Sequence, residues 1–224
     1  MAAIEKETEA APDSAPQDLK KDITGLLPMT LPNKITIFRF ALSIPYFAVL
    51  VAAMEFGWWQ PSSPTATILY DVAIVLFLVA LVSDVLDGYI ARKRSLSSGF
   101  GRVADPAADK ILICGTLILM PADVVHPAMT LLILTREIAV QGIRGFFESL
   151  GIAFGADWWG KRKMAIQSVA LGAALVYLAH FRGAGAGYLW FIRGVLWFAV
   201  LATVVSGVQY FRRAAAAIPE EKRP

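Results

Sequence analysis

The chain has 224 residues, 57% of them hydrophobic and 17% charged, against roughly 45–50% apolar and about 25% charged in an ordinary soluble domain. These proportions exclude a soluble globular domain and a disordered chain, and the single cysteine, Cys114, excludes a disulfide scaffold. The formal charge of +3 gives no ground for a nucleic-acid partner; in so apolar a chain the placement of the cations is more informative than their sum.

Residues 1–22 carry six acids and three lysines with few large apolar side chains. That composition predicts a disordered tail, and its acidic start, with no apolar stretch behind it, does not read as a secretory signal. Residues 23–31 are apolar but too short to span a bilayer, so a short interfacial helix is expected there. Six apolar runs follow, at 35–54, 65–83 (with its helix continuing to 92), 106–121, from 124 into the polar residues 136–148, 164–181 and 188–211. Each is near the ~20 residues that cross a bilayer, the third being short. Open sheet edges cannot sit in lipid and no barrel-like alternation is present, so an all-α integral membrane protein is predicted. No internal repeat points to an inverted-repeat transporter. The expected organisation is a tail at 1–22, a six-helix membrane domain at 23–213 and a short cytoplasmic tail at 214–224.

The connections alternate in charge. Lys34, Arg92, Lys93, Arg94, Arg102, Lys161, Arg162, Lys163, Arg212 and Arg213 fall on one side, and Arg182 alone falls in the opposite loops. The excess of cations marks the cytoplasmic side, so both termini are expected to be cytoplasmic.

Four aspartates, Asp84, Asp87, Asp105 and Asp109, lie within 26 residues. Each costs roughly 2.5–3.5 kcal/mol inside a span. Asp84 and Asp87 share one helix face, and Asp105 and Asp109 share another. Packed together, the two faces would gather four like charges that need cations between them. All-oxygen ligation suits Mg²⁺ or Mn²⁺ and disfavours zinc. Gly88 and Ala91 keep the neighbouring face free of bulk, Arg92 offers a fork for phosphate, and Gly101 opens the return into the third helix. This combination points to a phosphorylated, nucleotide-linked substrate.

The string Asp84-x2-Asp87-Gly88-x2-Ala91-Arg92-x8-Gly101-x3-Asp105-x3-Asp109 resembles the signature of the CDP-alcohol phosphatidyltransferase family at every fixed position. The resemblance implies a six-helix membrane enzyme, commonly a homodimer, which displaces CMP from a CDP-linked lipid at the cytoplasmic leaflet. It implies two divalent ions with ligands in Asp84, Asp87 and Asp105, and with Asp109 at the metal site as the general base. It assigns Asp84, Gly88, Ala91, Arg92 and Gly101 to the cytidine diphosphate. Further stretches resemble the bacterial branch whose acceptor is sn-glycerol 3-phosphate. They are Pro32-Asn33-x-Ile35-Thr36-x2-Arg39, Phe100-Gly101-x3-Asp105-Pro106-x-Ala108-Asp109-Lys110, Arg136-Glu137-Ile138 with Arg144, and Trp159-Gly160-Lys161-x-Lys163 with Gln167. Ile35 stands where that branch usually has Leu, and Met164 where it often has Thr. The implied substrates are CDP-diacylglycerol and glycerol 3-phosphate, in a bacterial cytoplasmic membrane.

The acceptor's phosphate needs a cationic seat, for which Arg39, Arg136, Arg144, Lys161 and Lys163 are the candidates. Glu137 is expected to pair with a neighbouring arginine. Two other readings stay open at this point: the same chemistry with inositol phosphate, serine or another alcohol as acceptor, and a divalent-cation transporter that uses the aspartates as a transit site.

Overall fold

A computed structural model describes residues 31–60, 63–94, 99–150 and 158–217. The acidic tail, the expected interfacial segment up to residue 30 and the last residues of the C-terminal tail lie outside the described residues. Six long helices follow one another: α1 (Leu31–Trp59), α2 (Pro64–Arg94), α3 (Gly99–Leu119), α4 (Pro127–Ser149), α5 (Trp158–Val176) and α6 (Ala186–Ala216). A π-helical turn, Tyr177–Phe181, ends α5. Among the described residues there is no strand.

Every helix outruns its apolar stretch at one end or both. In lipid the backbone must satisfy its own hydrogen bonds, so a helix does not stop where hydrophobicity falls. α3 begins at Gly99, which puts Gly101 inside its first turns rather than in the connection before it. Local chemistry sets two other starts. His126 caps α4, its Nδ1 accepting from the Ala128 amide at 3.2 Å, and Pro127 follows where no N–H is needed. Gly185 precedes α6 with φ +106°, a backbone region that only glycine enters without strain.

Among the described residues four helices are long and apolar enough to cross a membrane: Asn33–Trp59, Pro64–Leu86, Arg162–Phe181 and Ala186–Ala216. α3 and α4 fall short of that measure because they carry Asp105, Asp109, Lys110, Arg136, Glu137 and Arg144. Large side chains such as Ile44, Trp58, Val85, Val169 and Phe191 are well exposed. So many apolar groups on the outside fit a protein bathed in lipid rather than water.

Polar pairs fix the register of the bundle. Thr36 meets Asp105, Arg39 meets Asp109, and Tyr46 Oη meets Thr116 Oγ1 at 2.7 Å. Residues advancing along α1 therefore meet residues advancing along α3, so these helices run parallel. Lys110 with Gln141, and Thr130 with the Leu117 carbonyl, run in opposite order, so α3 and α4 are antiparallel. Between them lies a core built from Tyr46, Leu50, Phe77, Leu112, Leu117, Met129, Ile133, Leu171, Leu175 and Leu196. α1 seats closely on α3 because Gly115 has no Cβ, and the Phe47 ring fills the space one would take.

The opposite end of the bundle is closed by exposed pairs. His180 Nε2 and Asp71 are 2.8 Å apart, and Arg182 reaches Asp123 at 3.4 Å. Arg193 donates to the Asp123 carbonyl from Nε at 3.1 Å and lies 5.2 Å from the Trp190 ring centre.

Candidate active site

Arg39 of α1, Asp84 of α2 and Asp105 and Asp109 of α3 gather at one end of the bundle. Arg39, buried on α1, reaches Asp84 of α2 at 2.9 Å and Asp109 of α3 at 2.6 Å, both from the same guanidinium nitrogen. One turn earlier on α1, the Thr36 hydroxyl donates to Asp105. Asp105 and Asp109 are thus four apart on one face of α3, as their spacing predicts. The expected direct meeting of two aspartate-bearing faces takes a different form among the described residues: Asp84 and Asp109 come together through Arg39. The reason is like-charge repulsion, which a cation between the carboxylates removes. The backbone of α2 carries Asp87, Gly88, Ala91 and Arg92 onward from Asp84; their side chains, like those at Gly101 and Lys161, lie outside the described residues.

A cavity of about 260 Å³ opens beside Asp105 and Asp109. Lys110, Arg136, Arg144 and Lys163 line it, together with Glu137, Gln141, Ser206 and Tyr210. Three of the five expected acceptor cations therefore share one cavity with the expected base. Arg39 is not among the lining residues; it belongs to the aspartates. Sequence spacing gave no sign of that, because the pairing joins residues 70 positions apart.

Lys110, Arg136 and Lys163 are each held by a protein group. Glu137 on α4 is buried and accepts from Lys163 on α5 and from Arg136 at 3.2 Å. Arg136 also donates to Ser206 Oγ on α6 at 2.9 Å. Gly207 makes that contact possible: a Cβ there would sit 3.0 Å from Arg136 Cγ. Lys110 donates to Gln141 Oε1 at 2.6 Å, and Gln167 to Thr203 Oγ1 at 2.8 Å. Gln141 and Gly207 had no signal as site residues in the sequence, and Ser206 and Tyr210 were not expected there. The available hint lay in Ser206 and Tyr210, polar residues one turn apart near the C-terminal end of an apolar helix.

The donors around Asp84, Asp105 and Asp109 are carboxylate and hydroxyl oxygens, the set that suits a hard divalent cation. Among the described residues no three acidic, histidine or cysteine side chains already stand close enough to share one ion. Arg39 fills the cationic role between Asp84 and Asp109. In chemical terms the site joins a carboxylate able to take a proton to a cation-lined space able to hold a phosphate.

The model of the CDP-alcohol phosphatidyltransferase family matches residues 29–208. The chain belongs to that family and is an enzyme, a phosphotransferase set in a membrane. It is similar to proteins named CDP-diacylglycerol–glycerol-3-phosphate 3-phosphatidyltransferase. With the one from Bacillus subtilis (strain 168) it shares 35% identity over 184 residues, covering 82% of this chain and 94% of the relative. With that of Rickettsia typhi the identity is 33%, over 81% and 95%. With that of Haemophilus influenzae it is 32%, over 81% and 91%.

Proposed function

We propose that this enzyme transfers the phosphatidyl group of CDP-diacylglycerol to sn-glycerol 3-phosphate, giving phosphatidylglycerophosphate and CMP in phospholipid biosynthesis. One observation carries most weight: Asp109 shares its cavity with Arg136, Arg144 and Lys163. The acceptor's phosphate sits on these cations; Lys161 is assigned to the same seat from its place in the sequence motif alone. Its free primary hydroxyl then faces Asp109. The hydroxyl oxygen attacks the β-phosphorus of the CDP-lipid and forms a new P–O bond. The bond to the CMP oxygen breaks, CMP leaves as the anion, and Asp109 takes the hydroxyl proton. Asp84, Asp87, Asp105 and Asp109 would hold Mg²⁺ or Mn²⁺. Two such ions, when bound, neutralise the charge on the diphosphate and on departing CMP. Arg39 then keeps Asp109 oriented, a role different from the phosphate contact expected of it. Gly88, Ala91, Arg92 and Gly101 form the cytidine diphosphate seat, on the strength of the family signature.

The same proposal takes all six helices as spans, with both termini and the site on the cytoplasmic side of a bacterial inner membrane and a second copy of the chain as partner. The alternating cation content of the connections supports that orientation. α3 and α4 are admitted as spans despite their charges because those charges face a shared polar cavity.

The test is CMP release by the purified chain in CDP-diacylglycerol vesicles with Mg²⁺ and glycerol 3-phosphate. Release that depends on both substrates, is abolished by a chelator and is restored by Mg²⁺ or Mn²⁺ is expected. No release would overturn the proposal. Offering glycerol 3-phosphate against inositol phosphate and serine in the same vesicles decides the acceptor, and preference for either competitor would replace it.

A further inference from the structure

We propose that Glu137 acts as a built-in competitor for the acceptor's phosphate, so that only a strongly charged anion can take the seat. The inference rests on the acceptor site described above. Among the described residues four cations line the cavity, and Glu137 is bonded to two of them. Its Oε1 accepts from both Lys163 and Arg136, while Asp105 and Asp109 are engaged by Thr36 and Arg39 of α1. Both Glu137 and Lys163 are buried. Part of the anion seat is therefore filled by the protein's own carboxylate.

Two physical consequences follow. Buried cations without a counter-ion are strongly unfavourable, so Glu137 stabilises the empty site. An incoming anion must then do better than a carboxylate already in position. A phosphate monoester carries about −1.5 to −2 charges and three acceptor oxygens at pH 7, enough to draw Lys163 and Arg136 from a single negative charge. A monoanion, or a neutral alcohol, is not. Selectivity arises from the cost imposed on the wrong ligand as much as from attraction of the right one. Ser206 retains Arg136 at its other end, so the guanidinium stays in place while its anion changes.

The experiment uses the full chain purified in detergent, with inorganic phosphate and acetate as probes read by thermal unfolding, and glycerol 3-phosphate kinetics alongside. Glu137→Gln is expected to bind phosphate at least tenfold more tightly than the wild type, to gain a response to acetate, and to lower KM for glycerol 3-phosphate. Glu137→Asp, which keeps the charge, is expected to restore exclusion of acetate. A purely structural Glu137 would lower stability without changing the phosphate-to-acetate ratio, and that result would overturn the inference. A wild type that phosphate fails to stabilise would overturn the acceptor site and this inference together. If Glu137→Gln does not fold, wild type and Glu137→Asp suffice: phosphate should shift a carboxylate stretch in the infrared difference spectrum, at a frequency altered by Glu137→Asp. Absence of that band would equally refute the exchange.

Discussion

Asp109 and Gly207 show two ways in which a single position controls the site. Asp109 is the proton acceptor in the proposed step, and general-base contributions run to roughly 10²–10⁴-fold in rate. Asp109→Asn is expected to lose that much in CMP release while retaining binding of the CDP-lipid, measured on vesicles of known lipid content. Loss of binding instead would make Asp109 chiefly a ligand. Gly207 touches no reacting atom. Its missing Cβ leaves room for the Arg136 side chain, and a methyl group would stand 3.0 Å from Arg136 Cγ. Gly207→Val should therefore raise KM for glycerol 3-phosphate several-fold with little effect on KM for the CDP-lipid. Gly142→Ala, where a Cβ meets nothing within 4 Å, is the matched control and should leave both constants near wild type.

Among the elements, α1 sets the geometry of α3 through Thr36, Arg39, Tyr46 and Phe47. Gly115→Ala would drive a methyl group into the Phe47 ring, and overpacking of this kind costs typically about 1–3 kcal/mol. A lower midpoint of thermal unfolding is expected, with partial recovery in Gly115→Ala combined with Phe47→Leu. The six helices themselves were legible in the sequence, because a run of apolar residues of bilayer length leaves the backbone little alternative. The shared face of Asp105 and Asp109 was legible too, since i, i+4 spacing is a local property. The partner of each charge was not. Arg39 reads as one more phosphate ligand until packing brings residue 39 against residues 84 and 109. Glu137 reads as a partner for an arginine next to it, and its bond to Lys163 spans 26 positions. Such pairings depend on how helices rotate against one another, which no short window of sequence records.

On the scale of the whole molecule, charge is divided between two ends with different tasks. The end opposite the site is tied by His180–Asp71 and Arg182–Asp123, pairs with substantially exposed carboxylates. Exposed pairs contribute about 0–1 kcal/mol, so Asp71→Asn is expected to move the unfolding midpoint only slightly and to leave turnover intact. The site end carries the costly charges, and they are concentrated on α3 and α4, the two helices that fall short of span-like hydropathy. That distribution has a consequence for biogenesis. A helix bearing Asp105, Asp109 and Lys110 partitions poorly into lipid on its own, at roughly 2.5–3.5 kcal/mol per charge near a helix centre. Its compensation comes from elsewhere: Arg39 on α1 is already made when α3 emerges from the ribosome, whereas Lys163 and Ser206, which serve Glu137 and Arg136 of α4, are made last. Membrane integration of α3 should thus improve when α1 precedes it, and an isolated α3 with Asp105→Ala and Asp109→Ala should insert more often than the native segment in a glycosylation-tag insertion assay. On this prediction the residues proposed to do the chemistry are also the ones that make the insertion of α3 depend on α1.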